Sequence, residues 1–346
     1  MDLATLLPAV RTYLKKDILT GMLGWAGSDP FVVAPLAQGE YNLNYLVQQR
    51  DRRWVLRVNI GSQIQREDQI VYEYKALCLL DPSGVTPHPY GVDDSRTHLD
   101  HGALAMEYLP GEQLDYRRDL EGVARLFACI HTLEIQTDSN HLIVEERPLT
   151  MTCQECARLL PVYLDSNLAD PALRDYLVDV LAWAREACHA ERYFIEDPWP
   201  CIINTEVNSG NFIANREKGS LHLVDWEKPL YGDPSQDLSH FCAPMTTLWK
   251  TEYRMTPETK RCFLEAYKGA VADPHLRNTI DQRVRLRDPF NYLRGISWSA
   301  MAWVAYQTGA HEVKNTDTFR KVTSYLDLAF QREMFDPYLK VGTTIC

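Results

Sequence analysis

The chain has 346 residues, of which 45% are hydrophobic, 24% charged and 10% aromatic, enough to bury one large core or two modest ones. Gly and Pro together make up about a tenth of it, with no fixed repeat or low-complexity stretch, which excludes a collagen-like rod, a solenoid and a disordered chain. Its 36 basic and 47 acidic side chains leave a net charge of −11, so phosphate backbones and anionic lipid surfaces are repelled, and neither nucleic acid nor membrane is an expected partner.

Residues 3–25 place Leu3, Leu6, Leu7, Val10, Leu14, Ile18 and Leu19 at the three-and-four spacing of an amphipathic helix. Short β-prone runs follow at 31–36, 45–48 and 54–59, separated by Gly39, Asn42, Asn44 and the charged turn 50–53, and they predict an antiparallel meander. A helix over 66–80, the breakers Pro87, Pro89 and Gly91, and a strand over 103–108 complete a small β-rich lobe. Pro110-Gly111 ends that strand, and helical periodicity takes over at 120–133, 153–168 and 171–191. Apolar runs at 201–203, 212–214 and 221–226 read as a hairpin-like insert, and helices resume at Pro257 behind the cap Thr256, then over 289–308 and 318–335.

The expected division is therefore residues 1–109 and residues 110–346. Ten basic and thirteen acidic residues in the first part leave −8 on the second, a balance that suits a cationic small substrate. No apolar run reaches the roughly 18 residues that span a bilayer, and the N-terminus has no signal-like apolar region. Nine scattered cysteines read as reduced thiols, so a cytoplasmic protein is expected. Cys153 and Cys156, with no second pair and no nearby His, read as ordinary residues at a helix start. His131, in an otherwise apolar helix, reads as a core residue.

Polar residues concentrate in 204–211, between two apolar runs that hold the loop at both ends. Fourteen residues beyond Asn211, alternation places Asp225 at the end of a buried strand, where a carboxylate is costly unless it binds something. An Asn and an Asp converging on one point supply the hard oxygen ligands that magnesium prefers.

The order Glu206-x4-Asn211, then Asp225, resembles the catalytic loop and metal-binding Asp of the protein-kinase-like superfamily. Within it, Val224-Asp-Trp-Glu227 followed by Gly232-Asp-Pro234 and Asp237-Leu238 is similar to the aminoglycoside phosphotransferase and choline kinase family. That resemblance implies an α+β, bilobal protein-kinase-like fold with a small β-rich N-terminal lobe that binds nucleotide. The larger, mostly α C-terminal lobe would hold the catalytic loop, metal site and acceptor pocket. It further implies a phosphate-covering loop at Gly39, Asn42 and Asn44, a phosphate-neutralising Arg57 with Glu73 as ion-pair partner, and an adenine-contacting hinge at Glu107 and Tyr108. Mg2+ would be held by Asn211 and Asp225, Glu206 would act on the acceptor hydroxyl, and Asp237 would brace the loop.

Glu227, Trp298 and Trp303 are implied candidates for acceptor binding, the two Trp as part of an aromatic box for a cationic amine. The function expected is transfer of the γ-phosphoryl of ATP, the co-substrate, or of GTP, to a hydroxyl of a soluble metabolite or amino sugar, by a monomer or homodimer. In two places the chain departs from the family pattern: Asn204-Thr-Glu206 stands where His-Gly-Asp is usual, and Arg57 where Lys is commoner. The first departure leaves a pseudokinase, a regulatory binder of nucleotide or metabolite, as the alternative.

Overall fold

The structure, a computed structural model, describes residues 2–16, 18–23, 29–136, 140–309 and 316–340. It resolves into two compact units. The first comprises the chain up to Leu114 together with Leu133–Ile143 and Asn211–Pro229, and the second comprises Asp115–Thr132, Val144–Gly210 and the chain from Leu230 onward.

The first unit is built on a five-stranded antiparallel sheet: β1 (Val32–Gln38), β2 (Asn42–Gln49), β3 (Arg52–Asn59), β4 (Pro89–Asp93) and β5 (Ala103–Glu107), in the spatial order β1-β2-β3-β5-β4. Pro89 had read as a breaker. It is instead the first residue of an edge strand, a position where a missing N–H leaves no ladder bond unmade. The period of two sorts β2 and β3 by face. The register pairs Leu43 with Val58, Tyr45 with Leu56 and Val47 with Trp54, and these six join Val10 and Tyr13 in one apolar core. The alternate positions pair Asn42 with Asn59 and Asn44 with Arg57, which gives the sheet a polar second face.

The periodic stretch 3–25 forms two helices, Leu3–Tyr13 and Ile18–Leu23; Asp17 and residues 24–28 lie outside the described residues. Asp2 caps the first through a 2.8 Å bond from the Thr5 N–H. A hairpin late in the chain, Phe212–Asn215 against Ser220–Leu223, completes the unit by pairing with Glu112–Gln113. Gly111 is required there, since a Cβ would meet the Ala214 carbonyl oxygen at 2.7 Å.

The second unit is helical. Its longest element, Pro274–Thr308, has 35 residues, about 50 Å at the α-helical rise. It begins well before the expected 289, behind the cap Asp273, and carries Pro289 in its interior. Pro161 likewise divides the expected 153–168 helix into Pro148–Leu159 and Pro161–Leu164. Leu149, Leu177, Leu181, Phe290 and Leu293 lie in the core that these helices share. One face of the long helix is polar yet buried: Arg283 donates to Asp233 (2.6 Å) and Asp197 (2.7 Å), Arg287 to Glu145 and to the Pro148 carbonyl (3.0 Å), and Asn291 to the Gln236 carbonyl (3.2 Å). Gly232 lies in the strand Leu230–Gly232, which pairs with Cys201–Ile203. A Cβ at that position would press on the Glu145 carboxylate at 2.8 Å.

Among the described residues eight cysteines are free thiols. Cys156 sits in the core, where burial pushes its thiol up to about 12. No helix of the described residues is long and apolar enough to cross a membrane.

Arg287 is fully buried and its partner Glu145 nearly so. Removing one member of such a pair strands a charge, so Glu145→Ala is expected to lower the unfolding free energy by about 3–5 kcal/mol, read from urea denaturation. A loss under about 1 kcal/mol would show that water or another acid takes over.

Candidate active site

In the first unit the polar face of the sheet converges on Arg57. Its Nε donates to Asn44 Oδ1 (3.0 Å) and its Nη1 to both Glu73 Oε1 and Asp225 Oδ1, the latter at 2.9 Å. Glu73 comes from the helix Gln69–Leu80, and Asp225 follows the hairpin strand Ser220–Leu223. Arg57 and Glu73 are 5% and 1% exposed. Burial works against the charge on Arg57, but Glu73, Asp225 and Glu227 more than offset it and hold the guanidinium protonated. Burial also lifts the Glu73 carboxyl, to about 7, against the pull of Arg57.

Hairpin geometry brings Asn211 and Asp225 to the same end: Phe212 pairs with Leu223, and the Val224 N–H donates to the Asn211 carbonyl at 2.8 Å. Asp225 has φ of +66°, a left-handed conformation that Asp tolerates better than most residues. The fully buried Trp226 anchors it from behind, with Nε1 on the Leu223 carbonyl (3.0 Å). Glu227 then returns to the sheet, where Asn42 Nδ2 donates to its carboxylate and Gln69 Nε2 to its backbone oxygen. A carboxylate oxygen of Glu227 lies within 4.8 Å of one of Asp225. The two carboxylates offer the hard oxygens that magnesium prefers, and Asn211 stands at the same end of the hairpin.

Three further candidates in this unit are placed by the sheet itself. The Gly39 N–H closes the β1–β2 turn on the Asn42 carbonyl (2.9 Å). The Glu107 N–H is engaged by the His88 carbonyl (2.8 Å), and the Tyr108 ring lies under the Arg53 guanidinium at 4.6 Å. His222, half-buried on the hairpin, has its pKa lowered by burial.

The second unit holds the loop that carries Glu206. Asp237, fully buried in the helix Ser235–Cys242, accepts from the backbone N–H groups of Asn204 (2.7 Å) and Thr205 (2.9 Å), and lies 3.5 Å from His131 Nε2. Asn204 turns its own side chain inward to accept the Glu206 N–H at 3.0 Å. Glu206 and Asn208 are further tied by an N–H to carbonyl bond of 3.0 Å. Thr205 stands at φ +71°, an outlier for a β-branched residue. Its carbonyl accepts from Arg294 Nη1 at 3.3 Å, while Arg294 Nε donates to Glu155 at 2.9 Å.

Neither Arg294 nor Glu155 stood out in the sequence; the signal was the spacing 283, 287, 291, 294, which puts all four on one helix face. The two candidate Trp residues do not meet each other on the long helix: Trp298 packs edge-on against Trp249 (5.5 Å) and Trp303 against Tyr163 (6.0 Å).

Residues 32–270 match the sequence profile of the phosphotransferase enzyme family. The chain belongs to that family. No curated protein matches it in sequence. Among solved structures, this family member is similar to a candidate aminoglycoside phosphotransferase of Ralstonia eutropha JMP134, with 13% identity, TM-score 0.62, and coverage of 94% of this chain and 97% of that one. An ethanolamine kinase of Plasmodium vivax is 14% identical, with TM-score 0.62 and coverage of 88% and 83%. Spectinomycin phosphotransferase, crystallised with ADP and spectinomycin, is 11% identical, with TM-score 0.59 and coverage of 91% and 93%. At such identities the likeness establishes the fold, which is the expected protein-kinase-like α+β fold, with its β-rich N-terminal sheet and helical C-terminal part.

A carboxyl raised from 4.5 to about 7 on folding contributes stability that is complete below pH 4.5 and is lost as the pH rises through 7. Wild type is thus expected to lose ground to Glu73→Gln between those limits, seen as a shrinking difference in urea midpoint. A difference that does not vary with pH would place the Glu73 titration near its ordinary value.

Proposed function

We propose that this phosphotransferase moves the γ-phosphoryl of ATP to a hydroxyl of a small soluble acceptor, with magnesium as cofactor. The observation that carries the reading is the buried Arg57–Glu73 pair reaching Asp225, with Asn211 at the same hairpin end. A guanidinium so held serves phosphate oxygens in a fixed orientation, which an ammonium on a flexible stem does less well. Asn42 and Asn44 supply short polar side chains beside it, Gly39 shapes the covering turn, and Glu107 and Tyr108 mark the strand end that would meet the purine. Asn211 and Asp225 would hold the metal, with Glu227 as a further oxygen donor. Bound there, magnesium supplies charge neutralisation on the phosphates.

In the transfer itself, Glu206 takes the proton of the acceptor hydroxyl as that oxygen bonds to the γ-phosphorus, and the bond to the bridging oxygen breaks to leave ADP. Asp237 keeps the loop in shape through two backbone N–H groups. Trp298 offers a partly exposed aromatic surface for an acceptor, and the ethanolamine and aminoglycoside neighbours support an amine-bearing one. Trp303 packs into the helical core, which supports a structural part for it.

Asp225→Ala is expected to abolish phosphoryl transfer in a screen of hydroxyl acceptors while leaving the thermal unfolding transition in place. Glu206→Asp shortens the reach of the base by one methylene and is expected to reduce the rate by about 100-fold. A rate gained by that variant would identify Glu206 as a decayed position. Absence of both transfer and calorimetric binding of Mg-ATP by wild type would overturn the reading.

A further inference from the structure

The peptide plane between Thr205 and Glu206 is gripped at both ends. Its N–H, on the Glu206 side, donates to Asn204 Oδ1 at 3.0 Å, and its carbonyl, on the Thr205 side, accepts from Arg294 Nη1 at 3.3 Å. Because a peptide unit is rigid and planar, fixing both groups fixes the direction in which the Glu206 Cα leaves it. The grip opposes a real tendency to relax, because a β-branched residue at φ +71° is strained relative to a right-handed conformation. Arg294 is itself anchored from a different helix by Glu155, and its side chain is only 18% exposed. Burial works against its charge, and the carboxylates of Glu155 and then Glu206 more than restore it.

We propose that Arg294, held by Glu155, is the positioning residue that aims Glu206 at the acceptor hydroxyl. This inference rests on the phosphotransferase reading. It explains how Glu can stand where its relatives are expected to carry Asp: the longer side chain is usable only if its backbone origin does not wander. An error of about 1 Å at the reacting atom is enough to lose 100-fold in rate. Arg294 touches neither nucleotide nor acceptor in this scheme; it holds the Thr205 carbonyl, and its charge attracts the Glu206 carboxylate.

The test is steady-state kinetics of the full chain with its best acceptor, on wild type, Arg294→Gln, Arg294→Lys and Glu155→Gln, each checked for an unchanged thermal transition. Arg294→Gln is expected to lower kcat by about 10- to 100-fold while the KM for ATP stays within about twofold. Arg294→Lys, which keeps the charge and one donor, should recover part of that loss, and Glu155→Gln, which keeps an acceptor, should lose less than Arg294→Gln.

A kcat for Arg294→Gln within about threefold of wild type overturns the proposal, as does a fall in kcat matched by an equal rise in the KM for ATP. If Arg294→Gln does not fold, Arg294→Lys decides: reduced kcat at unchanged KM supports the positioning role, and wild-type kcat overturns it. Failure of wild type to transfer phosphoryl at all would instead count against the phosphotransferase reading.

Discussion

Buried guanidinium groups must meet carboxylates or carbonyls, and the second unit satisfies them in a way that arranges nearly everything else in it. Arg283, Arg287, Asn291 and Arg294 follow one another down a single face of the helix Pro274–Thr308. Each reaches a different segment: Asp197 and Asp233, then Glu145, then the Gln236 carbonyl in the first turn of the helix Ser235–Cys242, then the Thr205 carbonyl. The helix therefore acts as a rack on which irregular backbone and one helix start are hung at one-turn intervals. Loops have little apolar surface with which to hold themselves, and here charge-assisted hydrogen bonds supply the order that packing supplies elsewhere.

The first unit solves a related problem with a sheet. Its strands turn one row of side chains into an apolar core and the other, Asn42, Asn44, Arg57 and Asn59, into a polar face. Asp225 and Glu227 arrive at that face from a hairpin far along the chain and engage Arg57 and Asn42. A cluster with three carboxylates and one guanidinium carries an excess of negative charge, and a divalent cation is the natural complement. The same excess explains why Arg57 holds its proton so firmly despite its burial.

Much of this was legible in the sequence, for reasons that differ from residue to residue. Asn211 and Asp225 follow from apolar runs that read as short strands on either side of a polar loop, whereas Arg57 and Asn44 stand out only through the family resemblance, and Asn44 lies inside the strand Asn42–Gln49 rather than before it. The long helix was harder. Its expected start is Pro289, and the buried stripe of Arg283 and Arg287 carries no hydrophobic signal that would extend it back to Pro274. Trp298 and Trp303 are expected in one aromatic box only through the family resemblance. Five residues turn a helix through about 140° beyond a full circle, which sends the two rings to different neighbours. Pro89 showed the limit of reading proline as a stop, since an edge strand accommodates it at its first position.

The Arg57–Asp225 contact joins positions 168 residues apart, and the hairpin that carries Asp225 belongs to the unit that begins at the N-terminus. During synthesis the sheet can therefore assemble long before its last partner leaves the ribosome, and until Pro229 has emerged Arg57 has Glu73 but not Asp225 beside it. The nascent sheet must wait with Arg57 paired to Glu73 alone while most of the intervening helices are made. Closure of so long a loop precedes the contact it rewards, so the Asp225 end of the hairpin is a late and slow addition to the sheet.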